Sequence, residues 1–130
     1  MKIKLTSLFV KDQKEALKFY TETLGFVKKA DITAGEYRWL TVVSPEEPDG
    51  TQLLLEPNAN PAARVYQEAI FNQGIPAAMF FVDDIQKEHE KLKKLGVAFK
   101  SGPSEAGPAM IAVFDDTCGN LIQISQVTGY

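Results

Sequence analysis

Val10-Lys11-Asp12, followed by Leu24-Gly25-Phe26, is written a second time as Val82-Asp83-Asp84 and Leu95-Gly96-Val97. Val10 and Val82 stand 72 positions apart, and Gly25 and Gly96 stand 71 apart. Each copy has the same parts: an apolar run, an acidic residue suited to capping a helix, an amphipathic stretch, and a glycine fitted to the positive-φ position just past a helix end.

Working outward from the first copy, Ile3–Val10 is rich in Leu, Phe, Val and Thr and reads as a strand. Asp12 offers an N-cap, with Glu15 three residues on as a capping-box partner. Ala16, Leu17, Tyr20 and Leu24 then form one apolar helical stripe. Residues 26–30 and 37–43 read as strands around a turn at Gly35, residues 44–50 as a Pro- and Asp-Gly-bearing loop, and Gln52–Glu56 as a short strand with three leucines. In the second copy, 77–82 is a strand and Asp84 caps a helix striped with Ile85, His89 and Leu92. Residues 97–100, 110–114 and 121–125 are strands, the last two joined by the polar turn 115–120. Between the copies, Asn60 caps and Pro61 opens a helix over 62–73 that Gly74 closes. The expectation is an α+β fold in one domain over 1–130. Its first βαβββ module covers 1–56, a helical connector 57–76 and a second βαβββ module 77–130. A period near 70, present twice, is too long and too short-lived for a solenoid.

Composition removes whole classes of function. The 130 residues are 45% hydrophobic and 24% charged, which suits a packed globular chain. Fourteen basic against seventeen acidic residues leave −3 and no basic block, so nucleic acid is not an expected partner. One Cys excludes an internal disulfide, and one His excludes a multi-histidine metal site within one chain. The N-terminal apolar stretch ends at Val10 against charged residues, and the run 77–82 is far short of the ~20 residues that span a bilayer. The reading is a cytoplasmic protein with no membrane partner.

The duplicated pattern, with Phe9-Val10-Lys11-Asp12, Phe19-Tyr20 … Leu24-Gly25-Phe26 and Asp115 … Gly119-Asn120-Leu121-Ile122, resembles the vicinal oxygen chelate superfamily. That group includes glyoxalase I, bleomycin-resistance proteins and ring-cleaving extradiol dioxygenases. The resemblance covers nearly the whole chain. It implies that each module curls into half of a cup with its helix on the convex side, and that the protein is a homodimer. In the metalloenzymes of the group, ligands to a divalent ion come from the first and last strands of each module. Carried over, those positions are Leu5, Ala77, Gln123 and Glu56. Leu5 and Ala77 have no lone pair to offer, so the expectation is no metal and no cofactor.

If Leu5 and Ala77 face the cup, strand alternation adds Ser7, Phe9, Met79, Phe81, Gln52, Leu54, Glu56, Leu121, Gln123 and Ser125. Leu8, Val10, Phe80, Val82, Leu53, Leu55, Ile122 and Ile124 then pack on the helices. Both faces are apolar, the make-up of a small-molecule pocket, of a filled interior or of a dimer interface. The candidate ligand-binding residues are Ser7, Phe9, Arg38, Trp39, Gln52, Leu54, Met79, Phe81 and Gln123. Arg38 is suited to clamping an anion and Trp39 to stacking on a ring, although which parity of 37–43 faces the cup is open. Glu56 is the candidate catalytic group, as a general base or a ligand's hydrogen-bond partner; the other reading pairs it with Arg38 or sets it in solvent at a strand end. His89 reads as structural, Cys118 as a thiol not activated by its acidic neighbours, and the charged run 86–94 as the wet face of its helix. The functional expectation is a metal-independent binder of a small organic ligand in an apolar cup. The alternative is a glyoxalase-like lyase, isomerase or dioxygenase working through Glu56 or an unconventional metal site.

Overall fold

The computed structural model describes residues 1–127. The chain divides into two compact units, Met1–Tyr66 and Gln67 onward. The division falls inside a helix, Pro61–Asn72.

In the first unit, β1 (Leu5–Val10) leads into α1 (Gln13–Lys18), then β2 (Val27–Ala34), β3 (Tyr37–Val43) and β4 (Gln52–Pro57). The sheet order is β1-β4-β3-β2, with β1 parallel to β4 and the other neighbours antiparallel. Asp12 is extended at φ −143° and its carboxylate accepts from the Glu15 N–H at 3.0 Å, so the acidic cap starts the helix. The helical stripe does not run on as a single α-helix. At Phe19–Thr23 the turn widens to a π-helix, with the Leu24 N–H donating to the Phe19 carbonyl at 3.0 Å. The Thr21 hydroxyl meanwhile donates to the Leu17 carbonyl at 2.7 Å. Tyr20 is fully buried, and Gly25, at φ +87°, ends the segment.

The second unit repeats the plan. Pro61–Asn72 (α2) leads to β5 (Ala78–Phe81), α3 (Ile85–Lys94), β6 (Phe99–Ala106), β7 (Ala109–Asp115) and β8 (Leu121–Val127). The sheet order is β5-β8-β7-β6, and β5 is parallel to β8. Asp84 caps α3 through the Lys87 N–H at 3.1 Å, and Gly96 closes it at φ +89°. The fold is thus α+β, two βαβββ units each carrying a four-stranded mixed sheet.

The edge strands run further than their sequence suggests. β2 extends to Ala34 and β6 to Ala106, past Gly102-Pro103. Both gain their length from hairpin pairing, β2 with β3 and β6 with β7. Irregular register at 28/30, 99/101 and 101/104 absorbs the residues that do not fit an ideal ladder.

The core of each unit lies between sheet and helix. Leu8, Val10, Leu40, Val42, Leu53 and Leu55 are buried in the first unit, and Ala112, Phe114, Ile122 and Ile124 in the second. Alternation along each strand sends these residues to one face. Phe80 and Val82 share their parity and are half-buried. His89 of α3 packs edge-on against Phe99 at 4.4 Å, which in turn meets Phe114.

The turn 115–120 is built on a fully buried Asp116. Its carboxylate accepts from the N–H groups of Cys118 and Asn120 at 2.7 and 3.0 Å and from the Asn120 side-chain amide at 2.9 Å. Gln67 of α2 adds bonds to the Cys118 carbonyl and the Asn120 amide oxygen, anchoring the helix to the turn. Cys118 is buried inside this network.

Candidate functional site

The face of the first sheet opposite α1 carries the alternate side chains of its strands. Parallel pairing sets Leu5 beside Gln52, Ser7 beside Leu54 and Phe9 beside Glu56. On β3, Leu40 and Val42 point to the core, so Trp39 and Thr41 occupy the opposite face with Leu54 next to Thr41. Trp39 is 46% exposed beside its cross-strand neighbour Ile32 at 62%. Leu54 is buried, Ser7 is exposed, and the Gln52 amide oxygen accepts from the Thr41 hydroxyl at 2.7 Å.

Arg38 does not join this group. It shares the parity of Leu40, and its guanidinium donates to both oxygens of Asp31 at 2.9 and 2.6 Å. Its hydrogen bonds hold the Asp31 carboxyl below its ordinary value, with a smaller contribution from Lys28. The same pairing raises the Arg38 guanidinium. The Arg38 backbone is bound as well, its N–H and carbonyl both engaged by the Gln13 side chain.

Glu56 therefore has no guanidinium beside it, and no described residue forms an ion pair or a side-chain hydrogen bond with it. It is half-buried in the wall of a cavity of about 530 Å³ shared with Phe9, Pro57, Asn60, Ala62, Ala63 and Tyr66. Asn60, expected only as the cap of the connector helix, and Tyr66, which the sequence did not single out, both line this cavity.

In the second unit, Met79 and Phe81 are 61% and 55% exposed on the face opposite α3. β5–β8 pairing puts Met79 beside Gln123 and Phe81 beside Ser125. The Gln123 amide donates to the Met79 sulfur at 3.5 Å and the Ser125 hydroxyl at 3.2 Å. Ser7, Phe9, Trp39, Gln52, Leu54 and Glu56 thus lie on one face of the first sheet, and Met79, Phe81 and Gln123 on the equivalent face of the second.

Register changes one carried-over correspondence. With Ser7 equivalent to Met79 and Phe9 to Phe81, the partner of Met79, Gln123, repeats Leu54, while Glu56 repeats Ser125. Glu56 sits two residues, about 6.6 Å, further along its strand than the position matching Gln123. The matched quartet is Leu5, Leu54, Ala77 and Gln123, three aliphatic side chains and one neutral amide. Among the described residues no three His, Cys, Asp or Glu side chains come together as a metal cluster. That donor set does not fit a divalent ion.

Comparison with known proteins follows the same lines. Residues 2–124 match the family model described as the Glyoxalase/Bleomycin resistance protein/Dioxygenase superfamily. The chain belongs to that superfamily. An uncharacterized protein of Bacillus subtilis (strain 168), YurT, is 61% identical over 126 residues, covering 97% of this chain and 99% of its own. The crystal structure of UcmS2 superposes with a TM-score of 0.82 at 30% identity, over 96% of this chain and 97% of that one. TnmS3, an antibiotic binding protein from Streptomyces sp. CB03234, superposes at 0.78 with 29% identity, over 98% and 97%. No helix among the described residues is long and apolar enough to cross a membrane.

Proposed function

We propose that the protein is a metal-independent, cytoplasmic small-molecule-binding protein that acts as a homodimer. Its organic ligand rests against the sheet face opposite α1, in the cavity at Glu56. The observation that carries this reading is the unpartnered Glu56 carboxylate in a cavity bordered by Phe9 and Tyr66. Apolar walls with a few polar groups are the usual make-up of a small-molecule site, and the volume lies within the usual range for one. The exposed Trp39, Ile32, Met79 and Phe81 extend the apolar surface on both sheets. The likeness to TnmS3 supports an antibiotic as the ligand, and Phe9, Trp39 and Tyr66 favour one with a flat ring.

Trp39 is the chain's single tryptophan and stands on the binding face, so its fluorescence is the reporter. A panel of planar aromatic antibiotics titrated into the protein is expected to give saturable quenching by at least one member. Absence of saturable change across the panel would overturn the reading. Metal independence is tested in the same titration, which is expected to be unmoved by EDTA.

A second reading is favoured by the same carboxylate. A half-buried carboxylate with no cation beside it is placed to take a proton from a bound substrate, as a lyase or isomerase requires. Chemical change of any bound panel member on incubation with the protein separates an enzyme from a binder.

A further inference from the structure

The second unit contains a cleft of about 420 Å³ lined by Phe71, Asn72, Gly74, Lys100, Ser101, Val113 and Leu121. None of these residues belongs to the Glu56 cavity. The way β6 builds the cleft wall is unusual. Phe99 pairs with Phe114 and Ser101 pairs with Val113, so two steps on β6 match one step on β7 and Lys100 is an extra residue. Phe99 turns toward α3 through its contact with His89. Regular alternation would then send only one of the next two side chains to the opposite face. The bulge breaks that alternation and brings Lys100 and Ser101 side by side into the cleft. The Lys100 ammonium lies 6.0 Å from the ring centroid of Phe71, at the last turn of α2, which fixes the direction of the side chain.

The chemistry of the lining is one-sided. Lys100, Ser101 and Asn72 bring an ammonium, a hydroxyl and an amide to the same space. No carboxylate lines the cleft, and among the described residues none pairs with Lys100. The floor is apolar: Phe71, Val113 and the buried Leu121. Donors of hydrogen bonds above an aromatic and aliphatic floor complement a ligand with an anionic head and a flat apolar body.

We infer that this cleft is a binding site for aromatic carboxylates, whose carboxylate is received by Lys100, Ser101 and Asn72 and whose ring lies on Phe71, Val113 and Leu121. The cleft lies on the same face of the second sheet as Gln123, the cross-strand partner of Val113, and goes beyond the reading built on Glu56 because it shares no residue with the cavity there. Failure of the antibiotic titration therefore leaves it intact, and its own failure leaves that titration intact.

The test uses the full-length protein and three probes of one shape: 1-naphthoate, its neutral analogue 1-naphthalenemethanol and the cationic 1-naphthylmethylamine. Binding is measured by equilibrium dialysis and located by amide chemical shifts in ¹⁵N spectra. Naphthoate is expected to bind at least about tenfold more tightly than the alcohol, with the amine weakest, since a charge-assisted hydrogen bond exceeds a neutral one. Shifts are expected to cluster at residues 71–74 and 100–101. Lys100→Met is expected to weaken naphthoate about tenfold while leaving the alcohol unchanged, and Lys100→Arg to retain most of the affinity. Equal binding of naphthoate and alcohol to the wild-type protein would overturn the inference even if a variant failed to fold. So would naphthoate affinity unchanged in Lys100→Met, shifts confined to other residues, or no naphthoate binding up to its solubility limit.

Discussion

Glu56 stands across β1–β4 from Phe9 in a cavity whose other walls are mostly apolar. Replacing it by Gln keeps shape and removes charge. Glu56→Gln is expected to weaken a ligand that shows saturable Trp39 quenching about tenfold or more, as loss of one charged hydrogen bond does. Unchanged affinity and unchanged ligand chemistry would take Glu56 out of the site. Asp31 gives a pH prediction at the same scale. The Arg38 guanidinium lowers its folded-state pKa, so the pair's contribution to stability is complete above the ordinary aspartate value of 3.8 and is lost as pH falls through the lowered one. Asp31→Asn is therefore expected to lower Tm at pH 7, and the gap to the wild type to close below that range; a gap of equal size in strong acid would refute the linkage. Residue parity followed in the sequence from setting Leu5 and Ala77 toward the cup, which sends Leu8, Val10, Ile122 and Ile124 to the helix side, and all four are buried. It was not legible in Glu36-Tyr37-Arg38-Trp39, where aromatic and charged side chains suit either face. Pairing across strands decided it, by giving Arg38 to Asp31 and leaving Trp39 opposite the core.

At the scale of elements, the starts of α1 and α3 were readable because each is set by one acidic cap and its segment's end by one glycine. Gly25 has φ +87° and open space where a Cβ would stand, so Gly25→Ala is expected to cost about 1–2 kcal/mol through backbone conformation alone, measured by urea unfolding. The length of β6 was hidden because Gly102 and Pro103 read locally as breakers, and only pairing with β7 overrides them. The π-helical turn was hidden for a related reason: hydrophobic spacing does not report which carbonyl each N–H selects. The turn 115–120 read as polar and loop-like, without a sign that Asp116 is its buried centre. Asp116→Ala leaves two backbone N–H groups and one amide without their acceptor in the interior, and is expected to destabilise the protein by about 3–5 kcal/mol in the same unfolding assay. A loss below 1 kcal/mol would mean that water replaces the carboxylate.

At the scale of the molecule, both units expose apolar side chains on the face away from their helix, Ile32 and Trp39 on one sheet and Met79 and Phe81 on the other. Surfaces of this kind are covered in stable assemblies. Ile32→Glu is expected to raise the dimer dissociation constant at least about tenfold in sedimentation equilibrium, because a carboxylate buried at an interface loses its hydration. Monomeric wild-type protein at high concentration would end the dimer proposal.

The two ladders have a last consequence. β1–β4 and β5–β8 keep the same parallel register while their matched rungs hold Leu54 against Gln123 and Glu56 against Ser125. The scaffold is thus specified by main-chain pairing and by the side chains turned inward, and the outward rungs are released from that duty. Two copies of such a unit can differ chemically without either endangering the other's folding, and here one carries the Glu56 carboxylate while the other carries the Lys100 ammonium at a bulge.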